Sequence, residues 1–247
     1  MKYSPRFFWN DMPDWKRKKD PFICRFVYRP LSFVVSSFVA EWGISANTVS
    51  YFSAMEAVIA CLLFCMDFKF SRLMGAILVN VWLVLDCVDG NLARSVKREK
   101  YGDFADATSS YILVGILCTS MGISAYYTGG IVIPKHSIFI VLIGAFASSS
   151  DSLMRLVYQK YKNVSLSNTE EFEDINPEEG KGSDLMKRIK HIEETIGIGG
   201  ILPLLILIAT VFNALDIVVI YCFIIYSGMF FVSTLRLIKK TYKLNCI

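Results

Sequence analysis

The sequence predicts an all-α integral membrane protein of six transmembrane helices plus an N-terminal interfacial amphipathic helix. Three observations carry that expectation. Hydrophobic residues make up 54% of the 247 residues, charged residues only 19%, and the mean hydropathy is +0.45, whereas a soluble domain carries about 25% charge. Apolar stretches recur at the length a bilayer requires, about 20 residues of helix. Lys and Arg collect in alternate connections between those stretches. Together these exclude a secreted domain, a disordered chain and an ordinary cytosolic enzyme. The seven cysteines are scattered mostly through apolar segments with no C-x-x-C pair, and the two histidines do not cluster, so reduced core thiols are expected rather than zinc.

Residues 1–43 read as a cytosolic or interfacial segment. Pro5, Pro13, Pro21 and many charges interrupt it, so it lacks the apolar core of a signal peptide, and the first spanning helix is expected to direct insertion. Phe7, Phe8, Trp9 and Trp15 lie beside Lys16, Arg17, Lys18 and Lys19. That mixture suits a helix on the inner leaflet drawn to anionic headgroups; a solvated basic arm that only sets topology is the alternative. No nucleic-acid partner is expected. Leu31 to Trp42, between Pro30 and Gly43, is too short to cross and reads as interfacial or partly inserted.

Residues 44–247 read as the six-helix transmembrane domain. The expected spans are Thr48–Met66, Phe70–Asp86, Phe104–Tyr127, His136–Tyr158, Thr195–Asn213 and Ile217–Leu235. The second has only thirteen uncharged residues, Leu73–Leu85, and crosses only if its helix continues through Asp86–Ala93. Residues 159–194 read as a cytosolic loop: an acidic, solvated run from Glu170 to Glu179, then an amphipathic surface helix bearing Leu185, Met186, Ile189 and Ile192. Of the 26 Lys and Arg, 23 fall in Met1–Arg29, Arg94–Lys100, Arg155–His191 and Arg236–Lys243. Positive charge marks the cytosolic side, so both termini are expected there, and the formal charge of +4 is first a topology signal.

The informative stretch is Leu85 to Tyr111, where the second span ends and the third begins. Asp86 and Asp89 are three apart, as are Asp103 and Asp106, so each pair shares a helix face. If the two helices form an antiparallel hairpin, three or four carboxylates converge. Such a cluster is costly without a cation, and oxygen-only ligands suit Mg²⁺, Mn²⁺ or Ca²⁺. The alternative is a helix-end cluster balanced by Arg94, Lys97, Arg98 and Lys100. Gly90, Ala93 and Gly102 leave room for close helix contact and a bulky ligand.

The run Asp86-x2-Asp89-Gly90-x2-Ala93-Arg94-x7-Gly102-x3-Asp106 closely resembles the signature of the CDP-alcohol phosphotransferase family, D-x2-D-G-x2-A-R-x7or8-G-x3-D-x3-D. Seven of the eight fixed positions are present. Ile44-Ser45-Ala46-Asn47-Thr48 also looks like the family's Asn-containing start of its first helix. The resemblance implies a six-helix enzyme with its active site at the cytosolic mouth and partners set by its chemistry: a second alcohol attacks the β-phosphate of a CDP-linked alcohol and CMP leaves. It implies Mg²⁺ or Mn²⁺ held by Asp86, Asp89 and Asp106, with Gly90, Ala93, Arg94 and Gly102 lining the nucleotide site. It also implies a homodimer. The donor would be CDP-diacylglycerol or a CDP-linked polar head group, the acceptor another alcohol, and membrane lipids the surroundings.

Ser110 stands where the family has a fourth aspartate, its proposed general base. A hydroxyl does not take a proton at neutral pH without another base. Asp103 is the nearest substitute, though it lies about 10 Å from Ser110 along the helix at 1.5 Å per residue. Three further polar residues are functional candidates because they fall within spans. Asp151 and Arg155, four apart, are expected either to pair or to leave Arg155 gripping a phosphate of acceptor or lipid. Glu56 is expected to be a helix-packing hydrogen-bond partner. A catalytically silent nucleotide- and metal-binding scaffold is the second reading of the chain, favoured by Ser110. A transporter is the third, weakened because there are no evident repeated halves.

Overall fold

Polar backbone in a bilayer must satisfy its own N–H and C=O groups, which leaves helices and closed barrels. This chain takes the helical solution. The structure, a computed structural model, describes residues 2–170 and 196–244, and no strand occurs among them. Five helices are long and apolar enough to cross a membrane. They are α4 (Ala46–Cys65), α5 (Lys69–Ser95), α6 (Gly102–Thr128), α7 (Ile138–Glu170) and, after the short α8 (Leu202–Val211), α9 (Leu215–Leu244).

Local chemistry sets the ends. Ser45 caps α4 by accepting from the Thr48 N–H at 3.2 Å, the preferred role of Ser at a helix start. Tyr101, at φ 61, turns the chain into α6, and Gly129, at φ 70, ends it, a conformation glycine adopts without a Cβ penalty. The second span continues past its apolar part to Ser95, as its length requires. The fifth expected span differs: turns occupy residues 197–201, and only the ten residues of α8 follow as helix. Pro203 sits in the first turn of α8, where it is tolerated because that N–H has no helical partner. α7 runs on to Glu170, past the expected loop start at Gln159. The acidic run from Glu171 and the amphipathic stretch Leu185–Ile192 lie outside the described residues.

Small residues bring the helices together. A Cβ on Gly75 would lie 2.9 Å from the Ala60 carbonyl oxygen of α4, and one on Gly144 only 2.4 Å from the Cys118 carbonyl oxygen of α6. α4 packs along both α5 and α6, which touch each other little, and α7 packs on α6 and α9. The core runs through Phe64, Trp82, Leu113, Met121 and Ile206. At the end of α6 remote from the motif, buried Asp216 accepts from the Val132 and Ile133 N–H groups at 2.7 and 3.0 Å. A Cβ on Gly130 would lie 1.9 Å from its carboxyl carbon, so this loop closes only with glycine there.

Before α4 the chain forms α1 (Pro5–Asp11), α2 (Asp14–Lys19), a π-helical turn over Cys24–Tyr28 and α3 (Arg29–Glu41). Phe8, Met12 and Phe33 are buried with Val88 and Leu92 of α5. Trp15, Phe22, Phe26 and Trp42 stay exposed, the two-faced arrangement suited to a headgroup layer.

Candidate active site

Two cavities open along the motif-bearing part of α5. The larger, ≈ 550 Å³, is lined by Asn47 and Ser50 of α4, Asp89, Gly90, Ala93 and Arg94 of α5, the turn through Lys97 and Glu99, and Gly102, Asp103 and Asp106 of α6. The smaller, ≈ 330 Å³, is lined by Asp86 and Cys87 of α5, by Asp151 and Arg155 of α7, by Tyr226 of α9, and by Lys16, Asp20 and Arg29 from the N-terminal segment. The turn between α5 and α6 is held over the larger cavity by Asn47, whose Nδ2 donates to the Lys100 carbonyl at 2.9 Å and whose backbone N–H donates to Glu99 Oε2 at 3.2 Å. Asn47 Oδ1 is buried and has no partner.

The carboxylates are not the tight hairpin cluster expected. Asp89 of α5 and Asp106 of α6 reach the larger cavity, while Asp86, three residues before Asp89 on α5, reaches the smaller one. Among the described residues no three His, Cys, Asp or Glu side chains are grouped closely enough to hold a metal as they stand. No direct ion pair among the described residues joins Asp86, Asp89 or Asp106 to Lys or Arg. Asp89 is buried and accepts from Ser50 Oγ at 2.6 Å. The donor set therefore suits a hard divalent cation in kind, with three carboxylate side chains uncommitted to any base.

Gly90 has a steric reason. A Cβ there would lie 3.1 Å from Arg94 Nη1, so glycine lets the guanidinium fold back over the α5 backbone. Arg94 Nη2 donates to Asn91 Oδ1 at 2.9 Å. Gly102 is less constrained, since its Cβ would meet Asn47 Oδ1 at 3.6 Å, an ordinary contact. Asp103 is exposed at the larger cavity.

Ser110 is half-buried and lines neither cavity. Its neighbour Ser109 is the engaged hydroxyl, 2.7 Å from Ser53 Oγ and accepting from Trp82 Nε1 at 2.9 Å. Thr108 donates to the Phe104 carbonyl at 2.7 Å. Asp151 and Arg155 do pair, and Arg155 also stacks over the Tyr111 ring, 5.2 Å from its centroid. Glu56 departs from expectation: it is buried, and neither carboxylate oxygen has a hydrogen-bond partner.

Several site residues carry no sequence signal. Arg29 is 6% exposed, and donates through Nε and Nη2 to the two Asp20 oxygens at 2.6 and 3.2 Å. Burial alone would lower the Arg29 pKa, but the Cys87 sulfur and the Asp20 carboxylate raise it instead. Lys16 reaches Asp20 at 3.6 Å. Asn91 occupies an unspecified place in the motif, and Ser50 lies outside it.

Residues 43–226 match the family model described as CDP-alcohol phosphatidyltransferase. The chain belongs to this family. The match contains both motif-bearing helices and stops within α9, while α1, α2 and α3 precede it. The family comprises transferases of phosphate groups. No curated protein matches the chain.

Proposed function

We propose that the protein transfers a phospho-alcohol group from a CDP-linked alcohol to a hydroxyl acceptor, releasing CMP and forming the phosphodiester of a phospholipid or related glycoconjugate. One observation carries this reading. Six of the seven matched motif positions, Asp89, Gly90, Ala93, Arg94, Gly102 and Asp106, line a single cavity, although they come from two helices that scarcely touch.

On this reading the larger cavity takes the cytidine nucleotide. Ala93 and Gly90 leave it open, Arg94 and Lys97 offer positive charge to the pyrophosphate, and Ser50 holds the Asp89 carboxylate. Asp86, Asp89 and Asp106 would hold Mg²⁺ or Mn²⁺. That cation would neutralise the pyrophosphate as CMP departs. The smaller cavity takes the acceptor, with Arg155 beside it. The acceptor oxygen forms a bond to the β-phosphorus, the bond from that phosphorus to the CMP oxygen breaks, and the hydroxyl proton passes to a carboxylate of the site. The basic ends of the helices, and with them both cavities, face the cytosol.

A silent binding protein is the second reading, favoured by Ser110. CMP release by purified protein with Mg²⁺ or Mn²⁺, across a panel of CDP-alcohols and acceptors, separates them. Turnover lost in Asp89→Asn supports transfer, and CDP-ligand binding without release supports the scaffold. Ala93→Leu should abolish binding while the protein stays folded; unchanged affinity by calorimetry would sink the nucleotide assignment.

A further inference from the structure

Asn91 makes all four hydrogen bonds its amide allows. Its Nδ2 donates to Ser32 Oγ and Ser36 Oγ of α3, each at 3.1 Å. Its Oδ1 accepts from Arg94 Nη2 at 2.9 Å and, through a longer contact of 3.5 Å, from Arg29 Nη1. The residue is 2% exposed. A buried primary amide with both donors and its acceptor engaged has one orientation, because turning it over would set its N–H groups against the two guanidinium groups. Ser32 and Ser36 are one turn apart on α3 and fully buried, so they present two oxygens to the same amide.

The consequence lies in what Asn91 joins. Arg94 lines the larger cavity and Arg29 the smaller. α3, which supplies Ser32, Ser36 and Arg29, lies outside the family match that begins at residue 43. We propose that Asn91 is a positioning residue through which α3 sets the Arg94 guanidinium at the nucleotide cavity, making this N-terminal helix a working part of the site. With the amide locked by the two serines, Arg94 has a fixed acceptor for Nη2, and its remaining donors are left for phosphate oxygens. Without it, the arginine loses the contact that selects its rotamer, and a bidentate donor acts only when held in place. The inference rests on the nucleotide assignment of the larger cavity.

The test is binding of CDP with Mg²⁺ to the purified full chain by calorimetry, arranged as double-mutant cycles. Asn91→Ala and the pair Ser32→Ala with Ser36→Ala are each made in the wild type and in Arg94→Lys, which keeps a cation but not the fork. The serine pair removes two hydroxyls only and keeps the test sound where Asn91→Ala does not fold. Positioning through Arg94 is expected to weaken CDP binding about 10-fold in the wild-type background, worth ~1.4 kcal/mol, and less than 2-fold in the Arg94→Lys background. Equal losses in both backgrounds, or none in either, would overturn the proposal. Absence of CDP binding by the wild-type protein would overturn the nucleotide assignment itself, and the inference with it.

Discussion

Replacing Asp20 by asparagine tests how far the N-terminal segment is built into the protein. Asp20 is 7% exposed and Arg29 6%, and they share two hydrogen bonds at 2.6 and 3.2 Å, with Lys16 a further 3.6 Å away. Removing one partner of a buried ion pair costs about 3–5 kcal/mol, because the other charge stays buried without compensation. Asparagine keeps one acceptor oxygen, which puts the expected loss near the lower figure, about 3 kcal/mol. At about 2–4 °C per kcal/mol for a chain of this size, the melting temperature should fall by ~6–12 °C. The assay is thermal unfolding of the detergent-purified protein followed by intrinsic tryptophan fluorescence. Adding Arg29→Met to the Asp20→Asn variant removes the stranded charge, and most of the loss should return. A fall below about 2 °C in the single variant, or no recovery in the double, would refute the account of residues 1–43 as a buried, charge-paired part of the fold.

Three further outcomes are expected. Gly144→Ala puts a Cβ 2.4 Å from the Cys118 carbonyl oxygen and should cost about 1–3 kcal/mol by forcing α6 and α7 apart; Gly228→Ala, with nothing within 4 Å, should melt at or above the wild-type temperature. Ser110→Asp should not raise CMP release, because Ser110 lines neither cavity; a gain in the ~10²- to 10⁴-fold range of general base catalysis would show that the lost carboxylate was all the site lacked. Asp216→Ala leaves the Val132 and Ile133 N–H groups without their acceptor and should destabilise by about 1–3 kcal/mol per group, with CDP affinity unchanged because the loop lies at the opposite end of α6.

Sequence by itself determined five of the six expected spans and the place of the motif. Bilayer thickness converts directly into a run of apolar residues, and a cluster of aspartates at the end of such a run stands out because charge is expensive there. The pairs Asp86 with Asp89 and Asp103 with Asp106 could be singled out on spacing, since 3.6 residues per turn fixes which residues share a face, and the resemblance to the family signature added Gly90, Ala93, Arg94 and Gly102. Only the tertiary structure decided how those faces meet. Asp86 and Asp89 share α5 yet line different cavities, one walled by α7, α9 and the N-terminal segment and the other by α4 and α6. The same holds for Arg29 with Asp20 and for Asn91 with Ser32 and Ser36: each is ordinary in its own stretch of chain and acquires a role from residues up to 59 or 62 positions away. Hydrogen-bond partners at that separation are selected by packing, and packing leaves no local period to read.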